Sequence, residues 1–224
     1  MIPIFIGYDP REDIAYQVCK HSIKKRTPSA IITPLIKKDL EQQNWYNRPV
    51  DHLASTEFTF TRFLVPALME YTGWALFMDC DMLLQSDISE LFELANDQYA
   101  VMVVKHEYHP IHTVKMDGCK QTVYPRKNWS SVMLFNCGHK GNEKLTQDLV
   151  NNPEINGAYL HRFSWLKDEE IGELDHTWNY LVGVYDDIET PKLIHYTEGG
   201  PWFENYRDCE FNELWKKELY DMFK

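Results

Sequence analysis

Short, continuous apolar runs recur along the 224-residue chain and predict buried β-strands. They are mostly unbroken rather than alternating, which is typical of parallel strands covered on both faces of a sheet. Longer polar segments with helical patterning separate several of them, and this alternation predicts an α/β domain. The predicted strands cover residues 2–7, 30–36, 74–79, 99–104, 131–136 and 192–196.

Three segments carry apolar residues at helical spacing. Residues 11–25 have acids early and bases late, as the helix dipole favours. Residues 55–71 begin with Ser-Thr, which is typical of a helix cap, and predict a second helix. Residues 203–224 predict a C-terminal helix docked on the core. We therefore expect one domain over residues 1–224, with a mostly parallel central sheet flanked by helices.

The composition narrows the class of function. A net charge of -11 argues against a nucleic-acid or anionic-membrane partner, and it means that an anionic substrate needs a cation to bind. No run approaches the ~18 apolar residues of a membrane span, so no integral membrane segment is expected. Five cysteines without a CxxC spacing favour a reducing cytoplasm over a disulfide framework.

The run "LFMDCDMLL" places two carboxylates, Asp79 and Asp81, at the end of a predicted strand. On an extended backbone residues i and i+2 point the same way, so both side chains are able to face one cation. The alternative is a helix-capping carboxylate with a solvated neighbour. Because "SDISELFEL" supplies its own cap at Ser86 or Asp87, the metal interpretation is favoured.

A second strand end carries a histidine and a glycine pair. In "LIHYTEGGPW", His195 precedes Gly199 and Gly200, and glycine lets backbone N–H groups approach a phosphate closely. A lone histidine is more often structural. Two carboxylates with one imidazole nevertheless suit Mn²⁺, or Mg²⁺, with diphosphate oxygens completing the shell.

The order of these motifs resembles glycosyltransferase family 8, whose members include glycogenin and lipopolysaccharide galactosyltransferases. The matching segments are "FIGYD", "TRFLVPALM", "LFMDCDML", "NWSSVMLFN", "DEEIGELDHTWNYL" and "LIHYTEGGPW", which span most of the chain. The resemblance implies a GT-A (Rossmann-like) fold, a UDP-sugar donor, Mn²⁺ and retention of anomeric configuration. It also implies a nucleotide-sugar-binding half over about residues 1–104 and an acceptor-side half over about 105–202.

The resemblance assigns roles by position. It gives Asp79, Asp81 and His195 as metal ligands and Asp168 and Glu169 as the acids beside the anomeric carbon. Further donor-binding positions implied in the same way are Tyr8 and Asp9 at the uracil, Arg62 at the phosphate or sugar, Ser131 and Asn136 beside the sugar, and Gly199 and Gly200.

Two departures from the family pattern matter. Many relatives carry a lysine before the Pro-Trp pair, on the diphosphate, but "HYTEGGPW" has none, so Arg62, Arg207 or Lys127 is expected to replace it. Glu169 stands where many relatives have glutamine, which makes that position anionic.

The resulting function is Mn²⁺-dependent transfer of a hexose from a UDP-sugar, UDP-glucose or UDP-galactose above others, to a glycan or small-molecule hydroxyl acceptor. Two alternatives stay open: a non-catalytic nucleotide-sugar-binding module, and a phosphatase of the haloacid dehalogenase type. The acceptor, the sugar and the oligomeric state are open as well. His106, His109 and His112 are interpreted as surface or acceptor-facing groups rather than a second metal site.

Overall fold

The computed structural model describes residues 2–106, 125–186, 188 and 190–224. Its strands form two sheets, and the predicted strands are all present with bounds close to those expected. The strands are β1 (Ile2–Gly7), β2 (Ala30–Leu35), β3 (Trp74–Met78), β4 (Met82–Leu84), β5 (Val101–Val104), β6 (Val132–Asn136), β7 (Ile171–Leu174), β8 (Tyr180–Leu181) and β9 (Leu193–His195).

The larger sheet has six strands in the order β2-β1-β3-β6-β5-β7. β1 pairs in parallel with β2 and β3, and β5 with β7, whereas β6 runs antiparallel to both of its neighbours. The sheet is therefore mostly parallel, as predicted, and its central strands are fully buried. Fully buried side chains on these strands include Ile4, Ile6, Leu76, Phe77, Val101 and Leu134.

The helices flank this sheet. They are α1 (Asp13–Arg26), α2 (Lys37–Gln42), α3 (Val65–Leu68), α4 (Ser89–Phe92), α5 (Gln147–Asn151), α6 (Gly157–His161) and α7 (Asn212–Met222). The predicted C-terminal helix is confirmed as α7. Its Trp215 packs in a buried cluster with Val18 of α1 and with Ile194 and Tyr196.

The long helix predicted over residues 55–71 is largely wrong. Only Val65–Leu68 is α-helical, after a 3₁₀ turn over Thr61–Leu64. Upstream, the hydroxyl of Thr59 donates to the carbonyl of Thr56, and such local side-chain bonds compete with helix formation. The irregular path brings Arg62 inward, and it is only 5% exposed.

The smaller sheet, in the order β4-β9-β8, continues from the carboxyl end of β3. Three residues separate the end of β3 at Met78 from the start of β4 at Met82, and β4 pairs antiparallel with β9. The turn between β3 and β4 is the Asp-Cys-Asp segment, which therefore lies at the junction of the two sheets.

The register of the large sheet defines which residues share its carboxyl edge. Across β3, β6 and β5, Leu76 is level with Leu134 and Met102, and β5 runs parallel to β7. The ends of β3, β5 and β7 at Met78, Val104 and Leu174 therefore lie along the same edge. Residues that follow β5 and β7 therefore lie at the same edge of the sheet as the Asp-Cys-Asp segment, whereas residues that precede β7 lie at the other end of that strand.

Candidate active site at the junction of the two sheets

Two backbone hydrogen bonds hold the Asp-Cys-Asp segment. The N–H of Asp79 donates to the carbonyl of Ser131 at 3.0 Å, and the carbonyl of Asp81 accepts from the N–H of Tyr196 at 3.0 Å. One end of the segment is thus attached to the residue before β6, and the other to the residue after β9. The side chains project from a fixed backbone.

His195 reaches the two aspartates through strand pairing. It is the last residue of β9 and lies opposite Met82, the residue directly after Asp81. Its Nε2 lies 3.4 Å from Asp81 Oδ1. One ligand atom from each of Asp79, Asp81 and His195 lies within 4.8 Å of the others, so the predicted metal triad is brought together.

The donor set fits a divalent cation. Two carboxylates and one imidazole supply oxygen and nitrogen ligands, and they leave coordination positions for ligand oxygens. His195 is 2% and Asp81 8% exposed, whereas the Asp79 side chain keeps 16% exposure. The site is therefore enclosed on the protein side and open beside Asp79.

Arg62 supplies a buried positive charge to this site. Its Nη1 lies 2.9 Å from Asp79 Oδ1 and donates to the carbonyl of Ser130 at 2.8 Å. The guanidinium lies 5.1 Å and 4.9 Å from the ring centroids of Phe58 and Phe77. Arg62 was predicted to face the donor; in the structure it is paired with a metal-site carboxylate.

Asp9, predicted at the nucleotide base, is fully buried and organises the chain after β1. Its carboxylate accepts two hydrogen bonds from the Arg11 guanidinium, at 3.0 and 2.7 Å, and one from the backbone N–H of Glu57. Burial opposes its ionisation, but these hydrogen bonds outweigh burial and lower the pKa of Asp9. Tyr8 is partly buried, and its hydroxyl donates to Asp13.

Glu12 is a site residue that sequence reasoning missed. It is 2% exposed, and its Oε1 atom has no hydrogen-bond partner among the residues that the structure describes. Burial, and then the negative charges of Asp81 and Asp9, raise the pKa of Glu12 to about 8. An acid at a helix start is ordinary in sequence, so nothing marked this one as buried beside the metal triad.

The glycine pair after β9 forms a tight turn. Gly199 has φ +135°, a conformation that side-chain-bearing residues rarely adopt, and its N–H donates to the carbonyl of Tyr196. At Gly200 a Cβ atom would come within 2.0 Å of the Trp202 ring. Both glycines are thus required by the turn itself, and the N–H of Gly199 is already used within the chain.

The backbones of three of the predicted sugar-side residues lie at the opposite end of the large sheet. Asn136 ends β6 opposite Trp74, at the amino end of β3, because β6 is antiparallel. Asp168 and Glu169 precede β7, so that strand's four residues, ~13 Å long, separate them from the carboxyl edge. Their side chains are 84% and 72% exposed, and they lie near Arg126 and Lys167.

Asp175 is the acid that the topology does bring to the carboxyl edge. It directly follows β7 and caps the 3₁₀ turn His176–Asn179 by accepting from the backbone N–H of Thr177. Asn179, at the end of that turn, has its Oδ1 2.8 Å from His195 Nδ1. Hydrogen bonds from Thr177 lower the pKa of Asp175, so it is ionised at neutral pH.

Comparison with known proteins identifies the family. The sequence profile described as "Glycosyl transferase family 8" matches residues 15–206, most of the chain. The chain belongs to glycosyltransferase family 8. Protein CDI of Arabidopsis thaliana is 53% identical to this glycosyltransferase over 227 residues, which cover 99% of this chain and 87% of the plant protein.

Solved structures share the GT-A fold of this family 8 chain. The glycosyltransferase GlyE of Streptococcus pneumoniae TIGR4 superposes with a TM-score of 0.67 at 16% identity, over 97% of this chain and 60% of GlyE. The galactosyltransferase LgtC, solved with donor and acceptor sugar analogues, superposes with a TM-score of 0.59 at 11% identity, over 100% and 97% of the two chains. Among the described residues, no helix combines the length and apolar character needed to cross a bilayer.

Proposed function

We propose that this chain is a Mn²⁺-dependent hexosyltransferase that moves a sugar from a UDP-sugar to a hydroxyl group of a glycan or small-molecule acceptor. The observation that carries the proposal is the convergence of Asp79, Asp81 and His195 within 4.8 Å, at the junction of the two sheets. Family membership supports glycosyl transfer, and this donor set suits a cation that bridges to a diphosphate.

The acidity of the site explains why a cation is needed. The carboxylates of Asp79, Asp81 and Asp9 lie close to where a diphosphate would bind, whereas Glu12, whose pKa is raised to about 8, is mostly protonated at pH 7; the chain as a whole carries a net charge of -11. Bound Mn²⁺ would neutralise this repulsion and act as a Lewis acid towards the leaving nucleoside diphosphate. Arg62 holds Asp79 in place and offsets part of its charge.

We propose Asp175 as the carboxylate nearest to the donor sugar, in place of Glu169 and Asp168. Asp175 lies at the same sheet edge as the triad, and its turn contacts His195 through Asn179. The sequence-based candidates precede β7 instead. As the bond between the anomeric carbon and UDP breaks, the carboxylate would either attack that carbon or stabilise the positive charge that develops there; the acceptor hydroxyl would then bond to the same carbon and pass its proton to the departing diphosphate.

Retention of configuration belongs to the same proposal. An α-linked donor should then give an α-linked product, and NMR of the freshly formed glycoside tests this directly. A β-linked product would overturn the retaining mechanism and would make the carboxylate a general base of an inverting enzyme.

The test of the function combines binding and turnover. A thermal-shift panel of UDP- and GDP-sugars, with Mn²⁺ and with EDTA, should show stabilisation by a UDP-sugar only when the cation is present, because a ligand that binds the native state stabilises it. Release of UDP from the stabilising donor then separates a transferase from a non-catalytic binding module. Stabilisation by the donor in EDTA would contradict the cation-dependent proposal.

We also propose a reducing compartment such as the cytoplasm. Cys19, Cys80, Cys137 and Cys209 form no disulfide in the described part of the chain, and three of them are buried thiols. Cys119 lies outside the described residues. Burial raises the pKa of the Cys80 thiol well above its usual range, so it is a packing residue and not a nucleophile.

A further inference from the structure

His195 is the first of four residues that are joined by a buried chain of hydrogen bonds. His195 Nδ1 lies 2.8 Å from Asn179 Oδ1, and Asn179 Nδ2 lies 2.9 Å from Ser131 Oγ. Ser131 Oγ in turn lies 2.6 Å from the backbone carbonyl oxygen of Asn128. Ser131, Asn179 and His195 are 3%, 0% and 2% exposed, so these groups have one another rather than solvent as partners.

The direction of every hydrogen bond in this chain follows from the carbonyl oxygen of Asn128, the member farthest from His195. The carbonyl oxygen of Asn128 only accepts, so the hydroxyl of Ser131 spends its single proton on that oxygen. Ser131 Oγ must then accept from its other neighbour, which therefore has to be the amide nitrogen of Asn179. That orientation leaves the amide oxygen of Asn179 facing the imidazole.

The direction of the hydrogen bond between Asn179 and His195 determines the tautomer of His195. Because Asn179 Oδ1 only accepts, the proton of the neutral ring lies on Nδ1, and Nε2 carries a lone pair. Nε2 is the atom that lies 3.4 Å from Asp81 Oδ1. The lone pair and the carboxylate thus face the same point, which is the arrangement that a metal ligand requires.

We propose that Asn179 and Ser131 are positioning residues that hold His195 in its Nδ1–H tautomer for cation binding. This inference rests on the proposed cation dependence and assigns it to residues outside the triad. Ser131 acts on the site twice, since its backbone carbonyl also accepts from the N–H of Asp79. Its hydroxyl is therefore committed to the chain and not to the donor sugar, where sequence reasoning had placed it.

Two substitutions of Asn179 separate positioning from packing. Asn179→Asp keeps an acceptor for His195 Nδ1–H, because one carboxylate oxygen takes the place of the amide oxygen, while the Ser131 hydroxyl turns from the Asn128 carbonyl to donate to the other. Asn179→Leu has a similar volume and no acceptor. Calorimetric titration with Mn²⁺ should give an affinity close to wild type for Asn179→Asp, and an affinity about 10- to 100-fold weaker for Asn179→Leu. A residue that serves packing alone would show the opposite order, since leucine suits a buried position better than a carboxylate.

The tautomer itself is measurable without metal. In long-range ¹H–¹⁵N NMR spectra of the metal-free protein at pH 8, with His195 assigned by comparison with His195→Gln, wild type should show the Nδ1–H form. Ser131→Ala leaves Asn179 in place and removes the nearer of the two acceptors of its amide nitrogen, the other being the Asn128 carbonyl at 3.3 Å, so it should show an increased share of the Nε2–H form. Circular dichroism checks that each variant is folded.

These readouts also keep the inference separate from the proposed function. A wild type with the Nδ1–H tautomer that binds no cation would overturn the cation dependence and the role of Asn179 in it together, while leaving the direction of the hydrogen bonds intact. A wild type with the Nε2–H tautomer, or an Asn179→Leu variant that binds Mn²⁺ as tightly as wild type, would overturn the positioning role alone.

Discussion

Arg62 Nη1 lies 2.9 Å from Asp79 Oδ1, so a buried guanidinium and a metal-site carboxylate form an ion pair. The same guanidinium also donates to the carbonyls of Phe58 and Ser130. Arg62 thereby joins the irregular segment before α3 to the residues before β6. Its position makes it a structural residue and a site residue at once.

Arg62→Ala should therefore destabilise the fold as well as reduce activity. Removing one partner of a buried ion pair costs about 3–5 kcal/mol, because the other charge stays buried without compensation. Urea unfolding of the variant measures this loss, with Arg62→Lys as the charge-conserving control that should recover part of it. A loss below about 1 kcal/mol, the value for a surface ion pair, would show that the pair is solvated.

The triad variants should lose cation binding while remaining folded. We expect Mn²⁺ to raise the melting temperature of wild type but not that of Asp79→Asn, Asp81→Asn or His195→Ala. Each substitution removes a ligand atom and leaves the strand pairing of β4 with β9 in place. Asp208→Asn, which changes an exposed acid elsewhere, is the matched control and should respond as wild type does. An undiminished Mn²⁺ response in all three triad variants would move the metal site elsewhere.

The choice between Asp175 and Glu169 is decided by activity. Asp175→Asn should lower turnover by about 100-fold or more, because the carboxylate charge at the carboxyl edge is lost. Glu169→Gln should leave turnover within about 3-fold of wild type, since Glu169 precedes β7 and its backbone lies at the other end of that strand from the carboxyl edge. Steady-state UDP release measures both, with thermal melts as the folding check. The reverse result would restore the sequence-based assignment.

Protonation of a buried histidine should make stability depend on pH. His106 is 6% exposed, and burial, followed by the charges of His195 and His176, lowers its pKa to about 3. Between pH 6.5 and 3 the unfolded chain takes up a proton at this residue that the folded chain does not, so stability falls as the pH falls. From pH 7 to pH 5 this one group should cost about 2 kcal/mol.

Urea unfolding at the two pH values tests that expectation. His106→Gln should lose stability less steeply than wild type between pH 7 and 5, whereas His52→Gln, at an exposed position, should follow wild type. Parallel pH dependences for wild type and His106→Gln would show that His106 titrates normally in the folded protein. His109 and His112, grouped with it in the sequence, lie outside the described residues.

Arg48 should contribute strongly to stability although it is remote from the metal triad. Its guanidinium donates to the carbonyls of Val150, Asn152 and Ile155 at 3.0, 2.7 and 2.6 Å and lies 3.9 Å from the Phe60 ring centroid. Arg48→Met should lower the unfolding free energy by about 3 kcal/mol, because buried carbonyls lose their donors. Arg48→Lys should recover less than half, since one ammonium cannot serve three separated carbonyls. Equal stability of Arg48→Met and wild type would contradict this assignment.

The convergence of Asp79, Asp81 and His195 was predictable because each residue follows a strong strand signal. "WALFM" and "KLIHY" are apolar runs, so Asp79, Asp81 and His195 could be placed at strand ends from the sequence. The position of the acids near β7 relative to this edge of the sheet could not be predicted in the same way. That strand reads "IGEL", with a glycine and a glutamate inside four residues, and an unrecognised strand gives no way to tell the acids before it from the acid after it.

The direction of strand β6 was the second feature that the sequence did not predict. Asn136 ends a clear apolar run, and a parallel strand would have brought it to the carboxyl edge, but β6 alone in the large sheet runs antiparallel. Nothing within "VMLFN" distinguishes the two directions. Asn179 and Ser131 were beyond prediction for another reason, since their effect depends on hydrogen-bond partners that are 16 and 48 residues apart in the chain.

The pairing of Met82 with His195 joins residues that are more than a hundred positions apart. During synthesis, more than a hundred residues follow Asp81 before His195 is added to the chain. Contacts between residues so far apart in sequence are also among the last to form during folding. The proposed cation site therefore exists only in completed molecules: a chain cut short before β9, or one whose small sheet has not formed, carries the Asp-Cys-Asp sequence without the third ligand.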